Sequence, residues 1–235
     1  MAPVPLAGDA RRPIVEVDGA GLFLARVDAS PEAVLRARAA VLPEEAARAD
    51  RIVHPRARAV SLAGRAFLRA VLAAATGRPP LGIPIVADGN GKPFVPPAAG
   101  LRSPHFNLSH SGDLVLVALA RDGPVGVDVE EHRAMDDLDR VAGAVLTPDE
   151  LGRLLGIAGR GRLTAFLDLW CAKEAVMKAD GRGFRIDPRS IRLSALPGPA
   201  TATVLAEVAG SAVRWRVTRI ALDGAAAAVA CPHAP

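Results

Sequence analysis

The stretch from Leu167 to Phe184 constrains this chain more than any other, because it reads as a helix with chemistry on one row and a glycine stop. Its sequence is Leu-Asp-Leu-Trp-Cys-Ala-Lys-Glu-Ala-Val-Met-Lys-Ala-Asp-Gly-Arg-Gly-Phe. Alanines and long unbranched side chains favour the helix, and Gly181 or Gly183 can take the left-handed conformation that ends it. Trp170, Glu174 and Lys178 stand at i, i+4 and i+8, so an aromatic ring, a carboxylate and an ammonium share one face. Taken alone, this row is also what a surface helix with one Glu-to-Lys pair looks like, a pair worth only about 0.2–0.5 kcal/mol.

A second acidic group lies upstream in Val125-Gly-Val-Asp-Val-Glu130, where strand alternation puts Asp128 and Glu130 on one face. Two carboxylates from a strand and one from a helix make a hard-oxygen set of the kind Mg²⁺ uses, with positions left for water and phosphate. Lys178 suits a phosphate better than bulk solvent. These residues together suggest a magnesium site for a phosphorylated substrate.

The rest of the chain is read in order. Residues 1 to 12 are interrupted by Pro and Gly and are expected to be loose, while Ile14 to Val17 and Gly21 to Val27 alternate as short strands. Ser30-Pro31-Glu32 begins a helix, with Ser30 as cap, and Leu42-Pro43-Glu44-Glu45 opens another. From Arg56 to Thr76, Val60, Phe67, Leu68, Val71 and Leu72 fall at helical spacing, closed by Gly77. Arg58, Arg65 and Arg69 lie between them, read first as a solvated face and second as phosphate ligands.

Leu81 to Ala87 and Pro93 to Val95 flank Asp88-Gly-Asn-Gly-Lys92, a hairpin turn that presents Lys92 at or beside its tip, either as a solubilising charge or as a ligand. Phe106-Asn-Leu-Ser-His-Ser-Gly112 leads into the apolar strand Leu114 to Ala120, which Asp122-Gly123 turns into the acidic strand. His110 before a strand is commonly structural, but here it sits beside Ser109 and Ser111. Thr147-Pro-Asp-Glu150 fits a capping box, which explains Glu150 without any catalysis. Ile191 to Leu193, Thr203 to Val208, Val213 to Leu222 and Ala225 to Cys231 read as strands.

With 235 residues, half of them hydrophobic and 23% charged, the chain can bury a sizeable core. Two cysteines make no disulfide framework, and neither a basic-then-apolar leader nor an apolar run of membrane-spanning length is evident, so a cytoplasmic location away from membranes is expected. The net charge of +4 favours an acidic partner. Dispersed arginines, 3% aromatic residues and no zinc spacing argue against nucleic acid. Each half runs from helices into apolar strands, and Val115–Leu119 and Ala226–Ala230 occupy similar places in the two, which suggests duplicated subdomains, 1–122 and 123–235, with a cleft between them.

Gly91-Lys-Pro93, Phe106-Asn-Leu-Ser-His-Ser111, Gly126-Val-Asp-Val-Glu130 and Trp170-Cys-Ala-Lys-Glu-Ala-Val-Met-Lys178 together resemble the 4′-phosphopantetheinyl transferases of the surfactin-synthetase-activating (Sfp-like) type. The blocks follow the family's order and approximate spacing over about residues 42 to 195. The resemblance implies an α+β fold of two pseudo-symmetric α/β subdomains with the active site in the cleft between them. It implies a monomer that moves the 4′-phosphopantetheine arm from coenzyme A to a serine of an acidic apo acyl or peptidyl carrier protein. The reaction depends on Mg²⁺ and releases adenosine 3′,5′-bisphosphate.

By motif, Asp128, Glu130 and Glu174 would be the Mg²⁺ ligands, Lys178 would lie against the pyrophosphate, and Glu150 falls at a proposed general base. Lys92, Ser109, His110 and Ser61 match coenzyme A contacts. The family places two basic residues in the early segment; Arg48 matches one, but Glu45 holds the other position, which shifts the expected grip to Arg48, Arg58, Lys92 and His110. Two other readings remain open at this stage: another Mg²⁺-dependent enzyme acting on a phosphoanhydride, although no Walker-type loop is present, and a non-catalytic coenzyme A or carrier-binding module.

Overall fold

The computed structural model describes residues 6–7, 9–97, 103–198 and 202–233, and divides the chain into two compact units, Met1–Asp122 and Gly123–Pro235. In the first unit, strands β1 (Leu6–Ala7), β2 (Val15–Val17) and β3 (Ala20–Val27) precede helices α1 (Pro31–Ala39), α2 (Pro43–Asp50) and α3 (Pro55–Thr76). The two-residue strands β4 (Val86–Ala87) and β5 (Pro93–Phe94) form a hairpin, and β6 (His105–Ser111) and β7 (Leu114–Ala120) follow. An antiparallel sheet runs β1-β3-β7-β6, with β2 added on β3.

Helix α3 is apolar nearly all round because it is covered on two sides. Phe67, Leu68, Val71 and Leu72 pack on Phe23, Val115 and Val117 of the sheet, while Leu62 and Ala66 pack on Ala37, Ala46 and Ala49 of α1 and α2. Among the described residues α3 is the helix long and apolar enough to cross a membrane, a property shared by the core helix of a soluble protein. Ser30 caps α1 as expected, accepting from the Ala33 amide, and Gly77 ends α3 at φ +69°.

Three expectations need correction here. Residues 1 to 12 are not loose throughout, since Leu6–Ala7 pairs with Arg26 and Val27; residues 1–5 and 8 lie outside the described residues. The stretch 105–111 is itself a strand, paired with β7 from His105↔Ala120 to Ser111↔Leu114, whereas its polar residues had suggested only an approach to one. Arg69 is not solvated: its side chain is 0% exposed.

In the second unit, β8 (Gly126–Glu131) is followed by α4 (Leu138–Val145), α5 (Pro148–Leu155) and the 21-residue α6 (Arg160–Asp180). Strands β9 (Ile191–Leu193), β10 (Thr203–Val208), β11 (Arg214–Leu222) and β12 (Ala225–Pro232) complete an antiparallel sheet of order β8-β12-β11-β10-β9. Helix α6 lies on this sheet, burying Leu169, Ala172, Ala175 and Val176 with Ala226, Ala228 and Ala230 of β12. Alanines on the strand let the helix approach closely. Gly181 at φ +87° stops α6, and Gly183 at φ +56° follows.

Candidate active site

The closest approach of helix and strand in the second unit is at Gly126. A Cβ there would lie 2.0 Å from the Ala175 carbonyl oxygen and 2.3 Å from the Ala179 amide nitrogen, so no side chain fits while α6 keeps its place. Strand alternation then puts Asp128 and Glu130 on the same face as Gly126, the face that α6 covers. Glycine thus brings the helix down, and the next two residues of that face carry carboxylates.

Lys178 donates to Asp128 Oδ1 at 2.6 Å, and its Nζ stands 3.9 Å from Glu174 Oε2 one turn back. Asp128 is 3% and Glu174 7% exposed. Burial first, and then the charges of Asp128 and Glu130, push the Glu174 carboxyl up to about 7 against the opposing pull of Lys178. Burial, followed by Asp128, also pushes the Cys171 thiol well up. Two buried carboxylates therefore share one ammonium, and the half-buried Glu130 adds its charge to the same corner.

That donor set fits a hard divalent cation, since all three side chains offer oxygen and their mutual repulsion is what a second positive charge would relieve. As they stand, no three His, Cys, Asp or Glu side chains among the described residues are grouped closely enough to hold a metal ion, and Lys178 is the cation that bridges Asp128 and Glu174.

Glu150 has other partners. Its Oε2 accepts from the Thr147 amide at 2.8 Å, and its own amide donates to Thr147 Oγ1 at 3.3 Å, which completes the capping box of α5. The same Oε2 lies 2.8 Å from the ammonium of Lys173, while Oε1 is buried and has no hydrogen-bond partner. Glu150 lines a cavity of about 390 Å³ with Arg153, Arg189, Arg192 and Leu196.

The remaining predicted contacts lie in the first unit. Lys92 is half-buried in the β4–β5 turn, which Asp88 organises by accepting from the Asn90 and Lys92 amides at 2.8 and 2.9 Å, with Gly91 at φ +85°. Ser109 and His110 are adjacent on β6, so they face opposite sides of the sheet, Ser109 buried and His110 exposed. Arg48 is exposed on α2; Arg58 donates to the Ile52 carbonyl at 3.1 Å, and Ser61 is half-buried on α3. A cavity of about 670 Å³ among Arg11, Phe23, Thr76 and Arg121 contains none of these residues.

Glu45 is a clamp. Arg69 grips it in two parallel bonds, Nε to Oε2 and Nη2 to Oε1, both 2.7 Å, and Arg65 Nε lies 2.7 Å from Oε1. The Leu42 amide donates to Oε2 at 2.9 Å, and the Arg69 guanidinium also reaches the Pro80 and Ile83 carbonyls. Burial raises the Glu45 carboxyl, but Arg69, the Leu42 amide and Arg65 outweigh it and leave the group below the ordinary range. The acidic residue at this position is therefore a structural anchor for α2 on α3.

Two residues were missed by sequence reasoning. Gly126 heads the Gly-Val-Asp-Val-Glu motif for a steric reason that shows only once α6 is packed on the strand. Lys173 received no role, although Phe166, Leu169, Lys173 and Val176 follow core spacing i, i+3, i+7, i+10, so a lysine in that register was a readable anomaly.

The arrangement is that of a mixed α/β enzyme with a buried acidic corner, and comparison with known proteins names the family. Residues 124–230 match the 4′-phosphopantetheinyl transferase superfamily, and residues 27–121 match the family described as 4′-phosphopantetheinyl transferase, N-terminal. A 4′-phosphopantetheinyl transferase of Bacillus subtilis is 31% identical over 160 residues, covering 67% of this chain and 69% of the relative. The 4′-phosphopantetheinyl transferase HetI of Nostoc sp. is 34% identical over 154 residues, 65% of each chain. The L-aminoadipate-semialdehyde dehydrogenase-phosphopantetheinyl transferase of Xenopus laevis is 29% identical over 165 residues, 67% of this chain and 55% of that one. The chain belongs to the 4′-phosphopantetheinyl transferase family. It spans about half to two thirds of the length of the curated relatives it matches.

Proposed function

We propose that this protein transfers the 4′-phosphopantetheine group of coenzyme A to a serine of an apo acyl or peptidyl carrier protein and releases adenosine 3′,5′-bisphosphate. The observation that carries this reading, beside family membership, is the pairing of Asp128 and Glu174 with Lys178 and the further charge of Glu130, with the Glu174 carboxyl pushed up to about 7. Such a corner is costly unless a cation and a phosphate complete it.

Asp128, Glu130 and Glu174 would hold Mg²⁺, whose chemistry there is to neutralise pyrophosphate oxygens. Lys178 balances Asp128 in the ligand-free chain and is the ammonium available to the leaving group once the carboxylates are otherwise compensated. The serine Oγ attacks the β-phosphorus, the bond from that phosphorus to the bridging oxygen breaks, and the bisphosphate leaves with that oxygen. Glu150 takes the hydroxyl proton on Oε1, the oxygen with no partner. Arg48, Arg58, Ser61, Lys92, Ser109 and His110 would bind the nucleotide and phosphates of coenzyme A.

The finer expectations are kept as part of the same proposal: the surfactin-synthetase-activating type, two pseudo-symmetric subdomains at 1–122 and 123–235, a monomer, an acidic carrier, and action in the cytoplasm without nucleic acid or membrane. The test is to incubate the purified protein with coenzyme A, Mg²⁺ and an apo carrier and to follow the carrier by intact-mass spectrometry beside Asp128→Ala. A phosphopantetheine increment with wild type alone is expected. Release of phosphate from nucleotides without any carrier would point to a different phosphoanhydride enzyme, and coenzyme A binding with no transfer at any Mg²⁺ concentration would reduce the protein to a binding module.

A further inference from the structure

Lys173 is the fully buried lysine of α6, 0% exposed, and its ammonium is saturated. It donates to the carbonyls of Pro188 and Ile191, both at 2.8 Å, and stands 2.8 Å from Glu150 Oε2. Three acceptors are what an ammonium can use. One side chain thereby ties α6 to the first turn of α5 and to the segment entering β9.

The consequence for Glu150 is asymmetry. Its Oε2 takes both the Thr147 amide and the lysine, and the capping box fixes the carboxylate plane. Its Oε1 is left buried without a partner, and the residue lines the cavity bordered by Arg153, Arg189 and Arg192. An unsatisfied buried acceptor is costly, and folded chains rarely keep one without use.

We infer that Lys173 is a positioning residue: it occupies Glu150 Oε2 and holds the carboxylate so that Oε1 is the oxygen presented to the acceptor's hydroxyl proton. The inference rests on the transferase reading and on Glu150 as proton acceptor. Lys173 itself touches neither substrate nor metal. Removing it leaves Glu150 tethered only by the Thr147 amide, free to rotate or to swap its two oxygens.

The test is a double-mutant cycle on the full chain, with Lys173→Met, Glu150→Gln and the double variant, measuring kcat and KM for coenzyme A and carrier per coenzyme A-binding equivalent. Lys173→Met is expected to reproduce the Glu150→Gln loss, about 10²- to 10⁴-fold in kcat, with both KM values nearly unchanged. The double variant should be no slower than Glu150→Gln. If Lys173→Met does not fold, Lys173→Gln keeps a donor for the Pro188 and Ile191 carbonyls and carries the same comparison.

A folded Lys173 variant with wild-type kcat, lower melting temperature and full coenzyme A binding would leave the lysine a structural staple and overturn the inference, as would losses that multiply in the double variant. Wild-type-like kcat for Glu150→Gln would remove the proton acceptor and the positioning role with it. A wild-type protein that transfers nothing to any carrier instead overturns the transferase reading beneath both.

Discussion

Each unit of this protein contains a buried meeting of carboxylate and cation on its long helix, and the two are built on opposite principles. In the first unit one carboxylate, Glu45, faces two guanidiniums, and its oxygens are occupied by Arg65, Arg69 and the Leu42 amide. In the second, two carboxylates, Asp128 and Glu174, share one ammonium with Glu130 acting on the same corner, and burial first, then Asp128 and Glu130, push Glu174 toward neutrality. The Glu45 carboxylate is closed, with both oxygens occupied. The Asp128 corner is short of positive charge, which is the condition expected of a site that waits for a cation and an anionic substrate. Occupancy of the carboxylate oxygens and the sign of the excess charge, positive around Glu45 and negative around Asp128, thus separate scaffold from site better than burial does, since both carboxylates are buried.

The largest effects should fall on different quantities in the two clusters. Asp128→Ala is expected to lower transfer on the order of 10³-fold at saturating coenzyme A while leaving the thermal transition near wild type. Glu45→Ala leaves the buried Arg69 and the mostly buried Arg65 uncompensated, and should cost about 3–5 kcal/mol of stability with activity per folded molecule retained. Denaturant melts and transfer rates on both variants check the pair. A crossed result, with Glu45→Ala folded but inactive, would dissolve the distinction.

Gly126→Ala comes next, because it pushes α6 away from the strand that carries the carboxylates. A methyl group 2.0 Å from the Ala175 carbonyl oxygen cannot be absorbed by side-chain rotation, so the loss should lie at or above the upper end of about 1–3 kcal/mol. Activity should fall further than stability explains, since Asp128 on the strand would no longer keep its spacing to Glu174 and Lys178 on the helix. Urea midpoints and Mg²⁺-dependent rates measured at equal folded fraction are the check. Unchanged Mg²⁺ dependence would detach the glycine from the site.

How much of this could be read before the structure follows from where each signal lies along the chain. The Trp170–Glu174–Lys178 row, the Asp128–Glu130 alternation and the Thr147–Glu150 capping box are local periodicities, and each appears where the spacing put it. The Glu45–Arg69 clamp joins residues 24 apart, so although Arg69 keeps core register with Leu62, Ala66 and Leu72, the carboxylate it meets is not legible within α3. Helix α4 is weakly marked: Asp137 makes no side-chain cap and Gly143 lies within it, so Leu138, Val141 and Val145 at helical spacing are its main signal. Strand β6 was read as an approach because Asn107, Ser109 and Ser111 put polar groups on its buried face, and its pairing with β7 decides the matter. The crowding at Gly126 is a property of two elements together and has no trace in either alone.

The two clusters should also answer to pH with opposite sign. Glu174 has its folded pKa raised to about 7, above the ordinary 4.5, so its contribution to stability is full below about pH 4.5 and is lost as pH rises through 7. Glu45 is lowered, so its contribution is present above its ordinary range and lost as pH falls through its folded value. Glu174→Gln should therefore raise the melting temperature at pH 8, and Glu45→Gln should flatten the acid limb. Mg²⁺ at about 100 times its Kd should stabilise wild type by about 2.7 kcal/mol at pH 8 and by clearly less at pH 6, where Glu174 holds a proton. Thermal melts across that range, with and without Mg²⁺, decide it. An equal Mg²⁺ effect at both pH values would take Glu174 out of the ligand set.

The smallest expected effect tests whether first-unit residues act on binding rather than on chemistry. Lys92 is half-buried in a turn whose backbone Asp88 organises, so less of its side chain remains to be ordered on contact than for Arg48, which is exposed on α2. An ammonium meeting phosphate near solvent is worth about 0.2–1 kcal/mol, which corresponds to a rise of up to about fivefold in KM for coenzyme A on Lys92→Ala. Because that contact would be the same in ground and transition states, kcat should not change. Arg48→Ala should do less, and the effect of both should shrink as salt is raised. Initial rates over a coenzyme A series at two ionic strengths measure this directly. A fall in kcat with KM unchanged would mean that Lys92 acts in the transition state, and the division between a first unit that binds and a second that reacts would have to be redrawn around it.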